Sequence, residues 1–542
     1  MVGKEAPASK PVVQGRPRLG PRGRVASDAS RDALRAALEA AGQATPRRDL
    51  LVEQLHALND AAGCLREGAI VALAEFHRLA PVEVLEAASF YHHFEILPDD
   101  APAPPRAIIR VCTGLPCMMA GGARPSVPPG ARVVAAPCMG ACDRAPVATT
   151  GFEPEDAAAP PGLDDYLARG GHAALRAARD GRLTPEAMLG AVERAGLRGL
   201  GGAGFPAARK WKLALAHPAP RHLVVNADEG EPGTFKDRFC LATDPHRVLE
   251  GMLLAARAVG AGECWIYLRD EYPDLRRALI AAIAELRAAD PDGPAIHLRR
   301  GAGAYICGEE TALLESLEGR RGWPRHKPPF PGEAGLFGRP TVVHNVETLW
   351  WLPEILATDD GAARYAAAGR RGAQGERFFS VSGRVREPGV KRAPNGVTAR
   401  ELIEEFSGGM AEGHRFVAYL PGGASGGILP ADLADLPLDA GSLDTHGCFV
   451  GSGAVIVLSD RDDLAAVARN LLGFFRDESC GQCTPCRVGT AKAAALLERR
   501  EWDRALLRDL AQVMADGSIC GLGQAAMNPV RSLLRFFGDS VP

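Results

Sequence analysis

The alternation of apolar and polar residues divides the chain into a helical beginning, a mixed middle and a helical end. Near the beginning, apolar residues recur at helical spacing at Leu51, Leu55, Leu58 and Ala62. This spacing predicts helices across 47–97. Two short β-type runs follow, "RAIIRVC" and "RVVAAPC", and each of them ends at a cysteine. We therefore predict that 47–155 is one domain in which helices precede a small sheet.

The pattern changes after this domain. Residues 156–183 contain many Pro, Gly and Asp and are predicted to be a linker. A helix is expected to begin at Thr184 and Pro185 and to end at Gly196, because these residue types favour helix starts and stops. Beyond it we predict, in order, an α/β domain (184–372), a small β-rich domain (373–458) and a helical domain (459–542). The fold class is therefore multidomain α/β.

The first 46 residues are rich in Pro, Gly, Arg and Ala. Six basic residues and one acidic residue lie between Lys4 and Arg24. This composition predicts a basic, extended N-terminal arm, which is either solvated or docked on a partner.

Length and composition narrow the classes of function. A chain of 542 residues is too long for one core, so we expect three to five domains. A net charge of −3 gives no general indication of nucleic acid or of an anionic membrane as partner. No apolar run is long enough to predict a transmembrane segment, and no secretory signal is recognisable. We therefore expect a cytoplasmic protein, in which clustered cysteines are metal ligands or catalytic thiols.

Three cysteines at two-residue gaps stand before the last helical region. Cys480, Cys483 and Cys486 form C-x2-C-x2-C, and Cys520 follows in "GSICGLG". Three ligands on one loop and one remote ligand suit a [4Fe–4S] cluster, in which each thiolate binds one iron. Zinc is the alternative, although zinc sites usually take two pairs of ligands rather than a triplet and a single residue.

A second set of four cysteines follows the two β-type runs. Cys112 and Cys117 form C-x4-C, and Cys138 and Cys142 form C-x3-C. Two pairs from two loops suit a [2Fe–2S] cluster, and zinc or two disulfides remain alternatives. The five other cysteines are isolated and are predicted to be small buried apolar residues: Cys64, Cys240, Cys264, Cys307 and Cys448.

Glycine-rich and acidic segments alternate in the α/β region. "GLRGLGGAGFPAARKW" (196–211) follows a helix rather than a strand, so it does not match the dinucleotide fingerprint. Its glycines leave room for a flat ring or a phosphate to approach the backbone, but an ordinary loop is equally consistent. Carboxylates also cluster in "VVNADEGEPGTFKDR" (224–238) and near Glu309. Such clusters bind Mg²⁺, contact ribose hydroxyls or are solvated turns.

Together with "HKPPFPGEAGLFGRPTVVHNVETL" (326–349), these segments and the C-x2-C-x2-C resemble the NADH-oxidising flavoprotein subunit of respiratory complex I and its relatives. The four-cysteine segment 112–142 and the helices before it resemble the thioredoxin-like [2Fe–2S] subunit that accompanies that flavoprotein. Here the two are fused. Within this superfamily the fusion most resembles the β subunits of NAD-dependent formate dehydrogenases, which "YLRDEYP" (267–273), "YLPGGASGGILP" (419–430) and "SICGLGQAA" (518–526) also match.

The resemblance implies a Rossmann-like FMN and NAD(H) domain, a β-grasp (ubiquitin-like) domain and a helical [4Fe–4S] domain. It implies that FMN is lined by Gly199, Gly201, Gly202, Lys210, Asn226, Asp228, Tyr305, Gly308, Glu309, Val343, Asn345 and Thr348. The nicotinamide nucleotide is expected to meet Phe205, Lys210, Glu231, Glu310, Lys327 and Phe330. Two positions depart from the family: His344 stands where Asn is usual, and Leu200 replaces a common Arg.

The cofactors together imply a diaphorase. NAD⁺ and NADH exchange two electrons as a hydride, iron–sulfur clusters carry one electron at a time, and a flavin converts between the two. Glu231 and Glu309 are expected to tune nucleotide binding, and no general base is assigned. Electrons would pass to or from a separate molybdenum- or tungsten-pterin subunit that oxidises formate. The alternatives are the diaphorase subunit of an NAD-linked hydrogenase, a fused complex I subunit and, from another class, a zinc-stabilised interaction scaffold.

Overall fold

The computed structural model of the protein describes residues 24–105, 107–150 and 160–542. Its first part is helical and consists of α1 (Asp28–Ala40), α2 (Leu51–Ala62), β1 (Leu65–Arg66), α3 (Glu67–His77), α4 (Pro81–Phe90) and β2 (Ile96–Leu97). The prediction of an extended arm is wrong for 28–40. Ser27 caps α1 by accepting from the amide of Ser30, and Leu34 and Leu38 bury one face of the helix. Residues 1–23 lie outside the described residues.

A small three-stranded sheet carries the second cysteine set. Its elements are β3 (Ile108–Cys112), α5 (Leu115–Met119), β4 (Arg132–Ala136) and β5 (Ala148–Thr150). The strand order is β4-β3-β5, with β3 parallel to β4 and antiparallel to β5. The two predicted β-type runs are confirmed as β3 and β4. Because parallel strands end at the same edge of a sheet, the loops that follow them lie side by side.

The predicted linker 156–183 is not a plain linker, because it contains α6 (Leu163–Ala168) and α7 (Ala173–Arg179). The buried carboxylate of Glu250 fixes this segment to the α/β domain. It accepts hydrogen bonds from the hydroxyl of Tyr166 at 2.5 Å and from the amides of His172 and Leu175 at 2.9 and 3.2 Å. A buried charge needs such partners, so these helices are part of the domain that follows.

The predicted α/β domain is confirmed. It contains α8 (Pro185–Ala195), α9 (Ala207–Leu215), β6 (Arg221–Ala227), α10 (Lys236–Thr243), α11 (Pro245–Val259), β7 (Ala261–Leu268), α12 (Pro273–Ala289), β8 (Ala295–Arg300), α13 (Glu310–Leu317), α14 (Pro331–Ala334), β9 (Thr341–Asn345), α15 (Val346–Trp350), α16 (Leu352–Leu356) and α17 (Gly361–Ala367). The sheet has the order β8-β7-β6-β9, and all its pairs are parallel. Buried apolar residues such as Val225, Ile266 and Leu254 form the core.

The β-rich region is a mixed five-stranded sheet. Its elements are β10 (Glu376–Gly383), β11 (Gly389–Pro394), α18 (Ala399–Glu404), β12 (Phe416–Leu420), β13 (Leu429–Pro430) and β14 (Ala454–Ser459). The strand order is β11-β10-β14-β12-β13, and β10 is parallel to β14. A capping box begins α18, since Thr398 and Glu401 each bond the other's amide. The assignment as a β-grasp domain stays a prediction.

The last region is helical, as predicted. It consists of α19 (Leu464–Asp477), α20 (Thr484–Leu497), α21 (Arg504–Gly517), α22 (Gly521–Ala525) and α23 (Asn528–Phe536). Val467, Leu471 and Phe475 bury one face of α19, and Leu507 and Met514 bury one face of α21. Among the helices that the structure describes, none combines the length and the apolar character needed to cross a bilayer.

Candidate functional site

The residues predicted to bind flavin converge at the carboxyl edge of the parallel sheet. Asn226 lies at the end of β6 and Asn345 at the end of β9. The loop between α8 and α9, which carries the first glycine cluster, closes over this edge, and its Gly201 lies against Asn345. The strand order reverses between β6 and β9, and a crevice at such a reversal is where open α/β sheets bind ligands.

The first glycine loop is held close to the sheet. The amide of Gly199 donates to the carbonyl of Phe205 at 2.8 Å, and the amide of Leu200 donates to Oγ1 of Thr348 at 2.9 Å. A Cβ at Gly201 would lie 3.0 Å from the Cβ of Asn345, so only glycine fits here without displacement. Leu200 therefore leaves the backbone path of the loop intact.

A second glycine turn faces β6 from the other side. Nδ2 of the Asn226 side chain donates to the carbonyl of Gly308 at 2.8 Å, and a Cβ at Gly308 would lie 3.2 Å from the carbonyl of Asp228. Oδ2 of Asp228 is buried, and no atom of the described residues donates to it. Burial raises the pKa of this carboxyl well above its ordinary value. A buried oxygen without a partner beside glycine-lined space fits a ligand that supplies the missing hydrogen bond, as FMN would.

Four of the predicted nucleotide-binding and tuning residues form a chain of alternating charges. Nζ of Lys210 lies 3.1 Å from Glu310, and Nζ of Lys327 lies 3.3 Å from Glu310 and 2.9 Å from Glu309. Burial alone would raise the pKa of Glu310, but the two ammonium groups outweigh it and lower the pKa below its ordinary value. Glu309 also caps α13, since its carboxylate accepts from the amides of Thr311 and Ala312 at 2.9 Å.

The aromatic residues predicted for the nucleotide differ in exposure. Phe330 is 55% exposed at the start of α14, and it follows the Lys327 end of the charge chain. Phe205 closes the first glycine loop, and the guanidinium of Arg209 lies 5.5 Å from its ring centre. Val343 contributes its carbonyl, which accepts from Nζ of Lys210 at 3.0 Å.

Glu231 has partners that the sequence did not predict. Its carboxylate accepts from the amide of Ser425 at 2.9 Å, from the Ser425 hydroxyl, and from Oγ of Ser452 at 3.2 Å. Both serines belong to the β-rich domain, and Ser425 lies in the "YLPGGASGGILP" segment. Burial raises the pKa of Glu231 although these hydrogen bonds lower it. Glu231 therefore joins the acidic loop after β6 to the neighbouring domain.

His344 is a structural residue. Its Nε2 accepts from Nε1 of Trp211 at 2.7 Å, and both side chains are buried. Burial, together with nearby Lys210, lowers the pKa of His344 to about 3, so the ring is neutral. The departure from the usual Asn is thus explained by a hydrogen bond within the core.

The four cysteines of the C-terminal set line one cavity. Cys480, Cys483, Cys486 and Cys520 surround it together with apolar residues such as Ile306 and Leu522. Gly481 adopts φ +79°, a left-handed conformation that favours glycine and turns the chain between two of the cysteines. The amides of Leu522 and Gly523 donate to Sγ of Cys520. Thiolate donors around one cavity with amide hydrogen bonds fit a [4Fe–4S] cluster.

One short turn separates this cavity from the flavin crevice. The turn Tyr305–Gly308 presents Ile306 to the cysteine cavity, while the carbonyl of Gly308 faces Asn226. Glu478, two residues before Cys480, accepts from the amide of Tyr305 at 3.0 Å. The ring of Tyr305 packs 4.9 Å from that of Phe474 on α19. The two sites therefore share a wall.

The second cysteine set is buried where β3 and β4 end. Sγ of Cys138 lies 3.4 Å from Sγ of Cys142, and Sγ of Cys112 is within hydrogen-bonding distance of Cys117 and Cys138. The amides of Val147 and Gly233 donate to Cys117 and Cys142. All thirteen cysteines lie among the described residues, and no disulfide joins any two of them. Two thiol pairs from two loops with amide donors fit a [2Fe–2S] cluster.

Across the described residues, no three His, Cys, Asp or Glu side chains converge on a single-ion site. The five isolated cysteines are buried, as predicted.

Sequence reasoning missed several residues that support the sites. Glu478 and Ile306 belong to the shared wall, Ser425 holds Glu231, and Arg269 contacts the second cysteine set. The only signal was positional: Glu478 precedes the cysteine triplet, while Arg269 and Ser425 lie in the segments that carry the family resemblance.

Comparison with protein families assigns three regions of the chain. Residues 192–354 match the family described as Nuo51 FMN-binding domain, and residues 466–542 match the NADH-ubiquinone oxidoreductase-F iron-sulfur binding region. Residues 38–125 match the thioredoxin-like [2Fe-2S] ferredoxin family. That last match includes Cys112 and Cys117 and ends before Cys138.

Whole proteins and solved structures agree with these regions. The F 2 subunit of NADH-quinone oxidoreductase of Rhizobium meliloti is 41% identical over 69% of this chain and 92% of that protein. The HndC subunit of the NADP-reducing hydrogenase of Solidesulfovibrio fructosivorans is 38% identical over 70% of this chain and 80% of that protein. A crystal structure of NAD⁺-reducing [NiFe]-hydrogenase in the H₂-reduced state has a TM-score of 0.77 at 33% identity and covers 92% of both chains.

The comparisons, together with the fold and the sites, show that the protein is an oxidoreductase of the NADH-dehydrogenase or diaphorase type. It is a flavoprotein with iron–sulfur clusters. It has an FMN-binding domain, a [2Fe–2S] domain and a [4Fe–4S] domain, and NAD(H) binding accords with its relatives. The chain belongs to the family of the F subunits of NADH-quinone oxidoreductase.

Proposed function

We propose that this chain is the diaphorase subunit of an NAD-dependent formate dehydrogenase. It would exchange hydride between NAD⁺ or NADH and FMN, and it would pass single electrons to or from a molybdenum- or tungsten-pterin subunit that interconverts formate and CO₂. We further propose that it acts in the cytoplasm, because thirteen cysteines without a disulfide between them suit a reducing compartment.

The observation that carries the diaphorase chemistry is the shared wall at Tyr305–Gly308. When bound, a flavin exchanges hydride with a nicotinamide and single electrons with iron–sulfur clusters. The chain supports both exchanges by placing a glycine-lined crevice on one side of this turn and four cysteines on the other. An electron would pass between the two sites through the Tyr305–Gly308 turn.

The chain's own residues would perform the binding steps. Asn226 would offer the second hydrogen of its Nδ2 and Asp228 its unpartnered Oδ2 to the flavin, and the glycine loops leave room for stacked rings. Lys210 and Lys327 keep Glu309 and Glu310 in place at the nucleotide side. No side chain is assigned as general base, because hydride transfer between nicotinamide and flavin does not require one.

The two cysteine sets are the proposed cluster ligands. Cys480, Cys483, Cys486 and Cys520 would bind the [4Fe–4S] cluster, and Cys112, Cys117, Cys138 and Cys142 would bind the [2Fe–2S] cluster. The formate partner is supported by the segments at 267–273, 419–430 and 518–526. A second candidate, the diaphorase subunit of an NAD-reducing hydrogenase, is favoured by the hydrogenase structure that covers 92% of this chain.

The identity of the partner subunit separates these candidates. We would purify the native complex anaerobically through a tag on this chain, measure its metals, and assay NAD⁺ reduction with formate and with hydrogen. Molybdenum or tungsten with formate-dependent activity supports the proposal. Nickel together with hydrogen-dependent activity would show instead that the complex is a hydrogenase.

A control tests whether this chain is the NAD-reducing part of such a complex. Gly201→Ala places a Cβ against Asn345 and should lower the FMN content. Formate-dependent reduction of an artificial dye should persist in that complex, while NAD⁺ reduction falls. Gly262→Ala adds a Cβ in open space and should leave both activities unchanged.

A further inference from the structure

Arg269 is a buried cation between two parts of the molecule. It follows β7, and its side chain is only 4% exposed. Its guanidinium donates to the carbonyl of Cys138 at 2.6 Å and to the carbonyl of Glu229. The first contact joins positions 131 residues apart. One side chain therefore fastens the second cysteine set to the acidic loop that carries the predicted flavin residues.

The loop Cys138–Cys142 is tightly enclosed on the same side. A Cβ at Gly140 would lie 2.0 Å from the hydroxyl oxygen of Tyr272, so the tyrosine packs directly on the loop. That hydroxyl donates to Glu229 at 3.0 Å, and the Arg269 guanidinium lies 5.0 Å from the Tyr272 ring centre. The position of Arg269 relative to Cys138 is thus fixed by packing as well as by hydrogen bonds.

The nearest carboxylate that pairs with Arg269 is Glu271. The two groups are 3.1 Å apart, and the Glu271 side chain is 6% exposed. Glu271 also lies 3.7 Å from Nε2 of His93. Arg269, Glu271, Cys138 and Asp228 all line one cavity. Buried charges interact more strongly than charges in water, because the surrounding dielectric constant is low.

We propose that Arg269 is a positioning residue that raises the reduction potential of the [2Fe–2S] cluster, and that Glu271 is the counter-charge that limits this effect. The inference rests on Cys138 being a cluster ligand, but not on which partner subunit the chain has. Reduction adds one electron to the cluster and makes it more negative. A fixed nearby cation stabilises that reduced state, and a nearby anion destabilises it.

Opposite shifts in two variants test the inference. Arg269→Gln removes the cation, and Glu271→Gln removes the anion. We would purify each variant in its native complex and titrate the cluster potentials by electron paramagnetic resonance. At the potential where half of the wild-type [2Fe–2S] cluster is reduced, the ratio of reduced to oxidised cluster should fall about tenfold in Arg269→Gln. The same ratio should rise in Glu271→Gln, while the [4Fe–4S] potential stays unchanged in both.

A conservative variant separates the charge from the shape of the side chain. Arg269→Lys keeps the cation but loses the forked hydrogen bonds, so its potential should lie closer to wild type than that of Arg269→Gln. If Arg269→Gln fails to assemble the cluster, Arg269→Lys and Glu271→Gln still decide the matter. Unchanged [2Fe–2S] potentials in correctly loaded variants, or shifts of the same sign in Arg269→Gln and Glu271→Gln, would overturn the inference.

Discussion

The two acidic residues expected to tune the nucleotide are already engaged within the protein. Glu309 caps α13 and pairs with Lys327, whereas Glu231 is held by Ser425 and Ser452 of the β-rich domain. A carboxylate that accepts several hydrogen bonds is fixed in orientation. Their effect on the nucleotide therefore depends on how firmly these contacts hold the loops that line the crevice.

Replacing Glu231 with Gln should weaken the binding of both NAD⁺ and NADH. The carboxylate accepts from two serines, and the amide group of Gln would turn a donor toward one of them, so the loop around Ser425 loses its anchor. We expect dissociation constants about three- to tenfold higher, with flavin and iron contents unchanged. Calorimetric titration of the purified protein measures the constants.

The matched control is Glu412→Gln, which changes an exposed carboxylate in the β-rich domain. It should leave both dissociation constants as in the wild type. Unaltered nucleotide binding in Glu231→Gln would show that this carboxylate has no role in nucleotide affinity.

His344 makes the stability of the protein depend on pH. An imidazole in the unfolded chain takes up a proton near pH 6.5, whereas the pKa of folded His344 is about 3. Protonation below pH 6.5 therefore favours unfolding. The contribution of His344 is fully present above pH 6.5 and is lost as the pH falls from 6.5 toward 3, by at most about 1.4 kcal/mol per pH unit.

His344→Asn should consequently reduce the loss of thermal stability on acidification. We expect a smaller drop in Tm between pH 7.5 and 5.5 than in the wild type, measured by differential scanning calorimetry. His326→Asn changes an exposed histidine and should follow the wild-type drop. A drop in His344→Asn equal to that of the wild type would contradict the assignment of a buried neutral ring.

At the scale of elements, each cluster site is built where a loop meets the start of a helix or the end of a strand. Cys483 is the residue before α20, Cys520 is the residue before α22, and Cys112 ends β3. At such a position the helix or strand fixes the backbone of the cysteine, while its side chain can turn into a cavity. Loss of one cysteine should therefore remove a cluster without removing the element that carries it.

Cys483→Ala should abolish the [4Fe–4S] signal and stop electron transfer to the partner subunit. Reduction of the flavin by NADH should persist, because the glycine loops and Asn226 lie on the other side of the Tyr305–Gly308 turn. The iron content should fall from about six to about two atoms per chain. Iron analysis and electron paramagnetic resonance measure the loss, and stopped-flow absorbance follows the flavin.

A suitable comparison is Cys264→Ala, which shortens a buried, isolated cysteine in β7. It should keep both clusters at some cost in stability. Four irons retained in the C-terminal cluster of Cys483→Ala would refute this cysteine as a ligand.

Secondary structure was predicted best from the sequence where the regular spacing of apolar residues extended over a long segment. The region predicted as α/β contains strands alternating with helices, and the region predicted as helical contains α19 to α23. Helix α1 was missed because the Pro and Arg composition of 1–46 masked a Ser27 cap and the Leu34 and Leu38 spacing. Helices α6 and α7 were missed because their stability comes from the distant carboxylate of Glu250.

The site was predictable to the extent that its chemistry is local in sequence. The cysteine triplet, the glycine loop and the residues at the ends of β6 and β9 each form a short pattern. The contacts of Arg269 with Cys138 and of Glu231 with Ser425 join positions 131 and 194 residues apart. No local period encodes such pairs, so they follow only from the packing of whole domains.

At the scale of the whole molecule, the two cysteine sets meet the FMN-binding domain through different contacts. The C-terminal set shares the Tyr305–Gly308 wall with the flavin crevice. The second set is joined to the acidic loop after β6 through Arg269 and through an ion pair of 2.6 Å between Arg238 and Asp143. It also touches the β-rich domain, where Arg384 donates to the carbonyl of Met119 at 2.8 Å.

This arrangement predicts that the [2Fe–2S] cluster is a side site for electrons rather than a necessary step. Cys112→Ala should remove the [2Fe–2S] signal while NADH still reduces the flavin and the [4Fe–4S] cluster, because Ile306 and Gly308 connect the C-terminal cavity to Asn226 without a cysteine of the second set. Rapid mixing with NADH followed by freeze-quench spectroscopy measures both. Val133→Ala, an exposed change on β4, serves as control. If the [4Fe–4S] cluster in Cys112→Ala were reduced much more slowly than in the wild type, the [2Fe–2S] cluster would lie on the main path of the electrons. The Tyr305–Gly308 turn would then not be their route.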